Sequence, residues 1–166
     1  TLLLKQAIHA LLFIDLDNFK KVNDLCGHKN GDTILANFGL LLHSIFRKND
    51  ILGRIGGDEF LVCMSNTQAD VVQKRAQEII DGCHKIYSFL DIDFNVTASI
   101  GIAFFPEHGT NLEQLYVHAD SALYQSKKNG RNQYTVYDEK RSNSFIDDIS
   151  DDFYMPLNSS IDSDQS

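Results

Sequence analysis

The stretch ILGRIGGDEFLVCM, residues 51–64, places two apolar runs on either side of Gly56 and Gly57 and follows the glycines with Asp58 and Glu59. Short runs rich in β-prone residues around a glycine pair read as a hairpin with a tight turn, in which the glycines supply positive φ. A lone hairpin is marginal in water, so this one needs further strands to share its apolar face. The run ALLFIDLD, residues 10–17, is the first candidate: a buried strand whose carboxyl end carries Asp15 and Asp17, placed on one face by alternation. If the hairpin pairs beside that strand, Asp15 and Asp58 arrive at the same edge of the sheet.

The remaining elements follow from hydrophobic period. Ile34, Phe38, Leu41 and Ile45, widened by Leu35 and Leu42, predict a helix capped by Asp32 or Thr33 and ending near Arg47. Val72, Ala76, Ile79, Cys83 and Ile86 predict a second. Thr110 and Glu113 have the spacing of a capping box opening a third, with Leu115, Ala119, Ala122 and Ser126 inward and Asn129-Gly130 as its stop. NVTASIGIAFF, residues 95–105, alternates as a strand through Val96, Ala98, Ile100, Ile102 and Phe104, and QYTVY at 133–137 can close the sheet. This order predicts an α+β domain with a mainly antiparallel sheet covered by helices. At the front, a helical pattern of Leu3, Leu4, Ala7 and Ile8 runs into the first strand without a turn, which suggests an incomplete N-terminal part. Over residues 142–166 seven serines and six acids predict a disordered acidic tail or linker, in which Ile146, Ile149 and Phe153 could form one docking face.

At 166 residues the chain has the size of one domain, and its net charge of −8 argues against nucleic acid or an anionic membrane as partner. A phosphate ligand must then be held by a few placed cations or a metal. Cys26, Cys63 and Cys83 form neither a disulfide framework nor a zinc pattern, which fits the cytoplasm. His9, His28, His43, His84, His108 and His118 show no zinc-protease spacing, and phosphate-loop and dinucleotide glycine patterns are absent.

What stands out chemically is hard oxygen. Asp15 and Asp58 gathered at one sheet edge, with Glu59 adjacent, suit Mg²⁺ completed by phosphate oxygens, although acids at strand ends and turns also occur for solubility alone. DNFKKVND, residues 17–24, offers Lys20 and backbone N–H groups at a helical turn, a place for phosphates or simply a solvated turn. Asn23 and Asp32 are the types that read a guanine edge, and Asp32 equally suits a helix cap. Lys127 and Arg131 fit a helix C-terminus on electrostatic grounds and would also neutralise a polyphosphate.

GGDEF at 56–60, together with DLDNFKKVNDLCGHKNGD (15–32), SIGIA (99–103) and ADSALYQSKKNGRN (119–132), resembles the GGDEF domains, the diguanylate cyclases, in order and spacing from about residue 11 to 137. The resemblance implies a nucleotidyl-cyclase-like palm, a ferredoxin-like fold, at residues 1–137, with 138–166 as tail. It implies that two GTP are joined into cyclic di-GMP with release of pyrophosphate by a homodimer whose subunits face each other. In such a domain Asp15, Asp58 and the Leu16 carbonyl would hold Mg²⁺ or Mn²⁺, with Glu59 assisting at the second metal or in deprotonation. Asn23 and Asp32 would bind guanine, Phe19 and Gly57 would contact the nucleotide, and Lys20, Lys127 and Arg131 would hold phosphates. Arg47-x-x-Asp50, five residues ahead of Gly56, resembles the inhibitory product site, with Arg75 as one choice for a second arginine. The DxLTGLxNR approach to the first helix usual in that family is absent from the sequence, and no EAL-type phosphodiesterase is recognisable after the domain. Further expectations are an upstream sensor or receiver domain and a cytoplasmic location, whether free or as the cytoplasmic part of a membrane-anchored protein. The rival readings are a catalytically silent receptor for GTP or cyclic di-GMP, and a cyclase with mixed base choice, against which Asp32 argues because a carboxylate prefers the guanine N1–H edge.

Overall fold

A computed structural model describes residues 8–87, 90 and 94–141 of the chain. The predicted tail face at Ile146, Ile149 and Phe153, and the apolar positions Leu3, Leu4 and Ala7, lie outside these residues. The described chain runs β1 (Ile8–Leu16), α1 (Phe19–Cys26), α2 (His28–Ile45), β2 (Ile51–Arg54), β3 (Glu59–Thr67), α3 (Ala69–Ile86), β4 (Ala98–Phe105), α4 (Leu112–Lys128) and β5 (Gln133–Val136). The five strands form one sheet in the order β2-β3-β1-β4-β5. Its pairs are antiparallel except β4 with β5, which is parallel, so the α+β reading holds. Ile8, read above as the end of a helical pattern, is instead the first residue of β1.

β1 is central, and both its faces are covered. Leu12, Ile14 and Leu16 join the core made with α1, α2 and α3, where Val22, Ile34, Phe38, Val72, Ala76, Ile79 and Cys83 are fully or almost fully buried. Leu11 and Phe13 point the other way, onto Leu115, Ala119 and Leu123 of α4. Three helices therefore lie on one face and α4 on the other. The alternation read in β4 is real, but its second face is also buried, because Ser99, Gly101 and Ala103 lie under α4. These residues are small because the helix backbone comes down onto the strand: a Cβ on Gly101 would overlap the Ala119 carbonyl and the Leu123 amide.

Three local expectations need correction. The helix predicted from Ile34 begins earlier, at His28 behind Gly27, so Asp32 and Thr33 lie inside it and neither caps it. The preceding DNFKKVND stretch forms a helix of its own, α1, whose amphipathic positions Phe19 and Val22 are too few to announce it by period. In α4 the capping pattern is shifted by one residue: Asn111 is the cap, accepting from the Gln114 amide at 2.9 Å, while Gln114 Oε1 accepts from the Thr110 amide at 2.8 Å.

Candidate active site

The strand ends and the hairpin turn converge. β1 and β3 pair so that Asp15 stands opposite Glu59, and beyond the ladder the Leu16 N–H donates to the Asp58 carbonyl at 3.2 Å. In antiparallel pairing opposite residues share a face, so Asp15 and Glu59 lie on the side covered by α4. Asp58 follows the end of β1 closely enough for its charge to act on Asp15. The predicted meeting of the two acids at one sheet edge is thus what the fold produces.

Arg54 is the last residue of β2 paired with β3, opposite Phe60, and the Ile55 N–H donates to the Glu59 carbonyl at 2.9 Å, so the turn closes over Gly56, Gly57 and Asp58; what differs from expectation is the conformation of its glycines. Gly56 and Gly57 are not among the glycines with left-handed φ. Gly56 instead makes room for its neighbour, because a Cβ there would come within 2.5 Å of Glu59 Oε2. Gly57 is exposed, and a Cβ on it would meet nothing within 4 Å, so no packing within the protein requires glycine at that position. Arg54, not singled out from sequence, shapes the loop: its Nε donates to the carbonyls of Gly56 at 3.0 Å and Gly57 at 3.1 Å. These bonds turn the two carbonyls toward the guanidinium.

Electrostatically the centre is Asp15, which is 8% exposed. Burial raises its carboxyl from 3.8 to about 6, Asp58 and Asp17 push in the same direction, and the hydrogen bond and charge of Lys127 only partly offset them. Lys127, in the last turn of α4, reaches Asp15 Oδ2 at 2.9 Å. A folded-state value above the unfolded one means that the protonated form is favoured by folding. Stability from this source is full below about pH 4 and is lost as pH rises through about 6, by an amount on the order of 3 kcal/mol. In chelator, Asp15→Asn should therefore gain on the natural sequence between pH 4.5 and 7.5, in melting temperatures recorded across that range. A flat difference would show that this carboxyl titrates normally.

The other predicted residues are placed as follows. Phe19 is buried, and Lys20 is exposed in the first turn of α1. Asn23, one turn further along, has its Oδ1 buried with no hydrogen-bond partner. That oxygen is aimed at Gly31, where any Cβ would overlap it. Asp32 is exposed on α2, next in the chain after Gly31. Arg131 lies just beyond α4, its Nε 3.9 Å from Asp17. Arg47 and Asp50 stand apart from this group, between α2 and β2 and at the opposite end of β2 from the glycine turn. There the Arg47 amide donates to Asp50 Oδ2 at 2.9 Å, and with His43, Phe46, Lys48 and Leu52 they line a hollow of about 410 Å³. Arg75 is not in its lining and instead pairs with Glu78 at 2.6 Å. A larger groove of about 830 Å³ runs along β5 and contains none of the predicted site residues.

Two carboxylates and a backbone carbonyl are hard ligands and leave coordination positions for a substrate, which suits magnesium. Among the described residues no group of three or more His, Cys, Asp or Glu side chains gathers into a cage. No helix among the described residues is long and apolar enough to cross a membrane.

Comparison with known proteins places the chain in one family, whose relatives are named for two opposite activities. The family model for "Diguanylate cyclase, GGDEF domain" matches residues 2–133. The chain is 42% identical over 132 residues to diguanylate cyclase DgcS of Shewanella oneidensis, covering 80% of this chain and 43% of that protein. It is 39% identical over 128 residues to the cyclic di-GMP phosphodiesterase PdeR of Escherichia coli, covering 77% of this chain and 19% of the relative. The chain thus spans less than half the length of each of these relatives. Among solved structures, the GGDEF domain of DgcB from Caulobacter crescentus in complex with c-di-GMP superposes with a TM-score of 0.71 at 28% identity, covering 78% of each chain.

Proposed function

The chain belongs to the diguanylate cyclase GGDEF-domain family, and on that premise we propose that it condenses two GTP into cyclic di-GMP and two pyrophosphate, one GTP being presented by each of two facing subunits. The observation that carries the proposal is the junction of β1 with the hairpin turn, where Asp15, Leu16, Asp58 and Glu59 meet beside Lys127. In each half-reaction the 3′-hydroxyl oxygen of one nucleotide forms a bond to the α-phosphorus of the other. The bond to pyrophosphate breaks, and the hydroxyl proton leaves to a base, a role we give to Glu59 at the start of β3. Asp15, Asp58 and the Leu16 carbonyl would hold magnesium, which when bound supplies charge neutralisation at the phosphates and lowers the pKa of the attacking hydroxyl. Lys20, Lys127 and Arg131 bind phosphate oxygens, which an acidic chain needs if a polyanion is to settle on it. The unpartnered Asn23 amide oxygen accepts from guanine, Asp32 accepts from its N1–H edge, and Phe19 backs the base. The open space over Gly57 leaves the turn accessible to the nucleotide.

The full chain at high concentration, given GTP and magnesium, should release cyclic di-GMP and pyrophosphate, both read by mass spectrometry. Binding of GTP without either product would refute the cyclase and favour the receptor. One finding supports that second reading: this region also matches part of a protein named for the opposite activity, a phosphodiesterase.

The hollow at Arg47 and Asp50 we assign to product. Arg47 and Lys48 offer cations for phosphodiester oxygens, and Asp50 offers an acceptor for a guanine edge. The bound DgcB neighbour makes cyclic di-GMP the ligand to try first. Arg47→Ala should raise the concentration of cyclic di-GMP needed for half-inhibition by roughly tenfold or more, the loss of one charge-assisted contact. Unchanged inhibition would remove Arg47 from that role.

A further inference from the structure

Asp15 and Asp17 share one face of β1 in the sequence pattern, yet their surroundings divide them. Asp15 faces the hairpin and Lys127. Asp17 is 3% exposed, and both its oxygens are occupied. Thr97 Oγ1 donates to Oδ2 at 2.6 Å, Ser99 Oγ to Oδ1 at 2.8 Å and to Oδ2 at 3.0 Å, and the Asn132 N–H to Oδ2 at 3.2 Å. Arg131 Nε lies 3.9 Å from Oδ1. A carboxylate so enclosed and so fully donated to is not free to act as a ligand.

The segment it grips is unusual. Gly130, Arg131 and Asn132 have φ values of 111°, 63° and 50°, three consecutive residues on the left-handed side, two of which carry side chains. Each such non-glycine residue costs roughly 1–2 kcal/mol and persists where surrounding contacts dictate it. α4 ends here in a glycine cap, with the Arg131 amide returning to the Ser126 carbonyl at 2.9 Å. That bond fixes the amide of Arg131 but not the direction of its side chain. The Asn132 N–H on Asp17 fixes the next peptide, and the carboxylate charge draws the guanidinium toward the end of β1, where Lys127 already meets Asp15.

We propose that Asp17 is a positioning residue for Arg131: it locks the α4–β5 turn and holds the guanidinium over the triphosphate subsite, an inference that rests on the phosphate role assigned to Arg131 above. Holding Arg131 in place before substrate arrives removes the ordering cost of a long side chain from binding.

The test is a double-mutant cycle on the full chain with Asp17→Asn, Arg131→Ala and both. Its readouts are affinity for a fluorescent, non-hydrolysable GTP analogue with magnesium, competition by GMP, and the melting temperature. Asp17→Asn retains a side-chain oxygen for Thr97, Ser99 and Asn132 but loses the charge. It should weaken the triphosphate roughly tenfold, leave GMP unchanged, and add nothing in the Arg131→Ala background. A lowered melting temperature with wild-type triphosphate affinity makes Asp17 purely structural and overturns the proposal. Losses that multiply in the double variant overturn it as well. Normal triphosphate binding by Arg131→Ala would instead refute the phosphate role of Arg131 itself. If Asp17→Asn does not fold, Ser99→Ala, which removes one donor that orients the carboxylate, is judged by the same triphosphate-to-GMP comparison and should shift it in the same direction by a smaller factor.

Discussion

Asp58→Ala should reduce cyclic di-GMP formation by roughly three orders of magnitude, because charge stabilisation of this kind supplies several kcal/mol in the transition state. The same variant should melt within a few degrees of the natural sequence. What ties Asp58 into the fold is its backbone carbonyl, which accepts from the Leu16 N–H at 3.2 Å and survives the substitution. The side chain is half-buried beside Asp15 and raises the pKa of its neighbour. Removing it relieves a repulsion, so Asp15 should ionise more readily in the variant. A near-complete loss of turnover with an unchanged fold is the signature of a carboxylate that holds a cation. Turnover within about tenfold of the natural sequence would shift the chemistry away from the hairpin turn, since a single solvated acid rarely matters more than that. Product mass measured over time, beside circular dichroism melts of both proteins, decides it.

Gly101→Val is expected to be the most damaging substitution to stability. Gly101 lies in the middle of β4 with the backbone of α4 pressed onto it: even a single methyl would overlap the Ala119 carbonyl and the Leu123 amide. These atoms belong to helix backbone, so they cannot rotate aside as a side chain would. To admit valine, α4 must lift from the sheet. Ala119 and Leu123 would then leave Leu11 and Phe13 partly bared, and Ser126 Oγ would be drawn off the Ile100 carbonyl it meets at 2.8 Å. Overpacking of this kind costs about 3 kcal/mol or more. Lys127 rides on the same helix, so its bond to Asp15 should be disturbed along with the packing. A urea midpoint lowered in proportion would confirm the close approach. A midpoint equal to the natural one would mean that helix and strand lie further apart than described.

The elements that could be read from sequence were those whose burial is one-sided or whose period is long. α3 was legible because Val72, Ala76, Ile79, Cys83 and Ile86 all face one core, and each is buried. The convergence of Asp15 with Asp58 was legible because an apolar strand ending in acids and a hairpin with an acid at its tip leave few ways to pair. α1 was less visible: over eight residues it buries only Phe19 and Val22, too few to show a helical period. The start of α2 was missed because it has no side-chain cap, Gly27 standing where Asp32 or Thr33 was expected. The glycine pair was misread in conformation because sequence alone does not separate a glycine that needs positive φ from one that needs space. Gly56 has no left-handed φ and sits against the flexible carboxylate end of Glu59. Thr97, Ser99 and Asn132 escaped notice because their roles depend on distant segments meeting: Ser99 lies 82 residues from the Asp17 it donates to, and Asn132 lies 115 away. The site roles of Asn23, Asp32, Lys20 and Arg131 were open alternatives by residue type and were singled out by resemblance to a family, and the fold adds for Asn23 a buried oxygen without a partner.

The 2.9 Å contact between Lys127 and Asp15 has a consequence for how ligands would be taken up. In the resting protein the two groups neutralise each other. Lys127 cannot turn to a phosphate without leaving Asp15 exposed to its acidic neighbours, and Asp15 cannot accept a divalent ion while Lys127 stays against it without placing like charges side by side. On the proposed function, uptake of the ion and uptake of the nucleotide would thus be two sides of one exchange of partners, each favoured by the other and by the same factor. Either alone should bind feebly, and the pair together should bind with little net change in charge at the site.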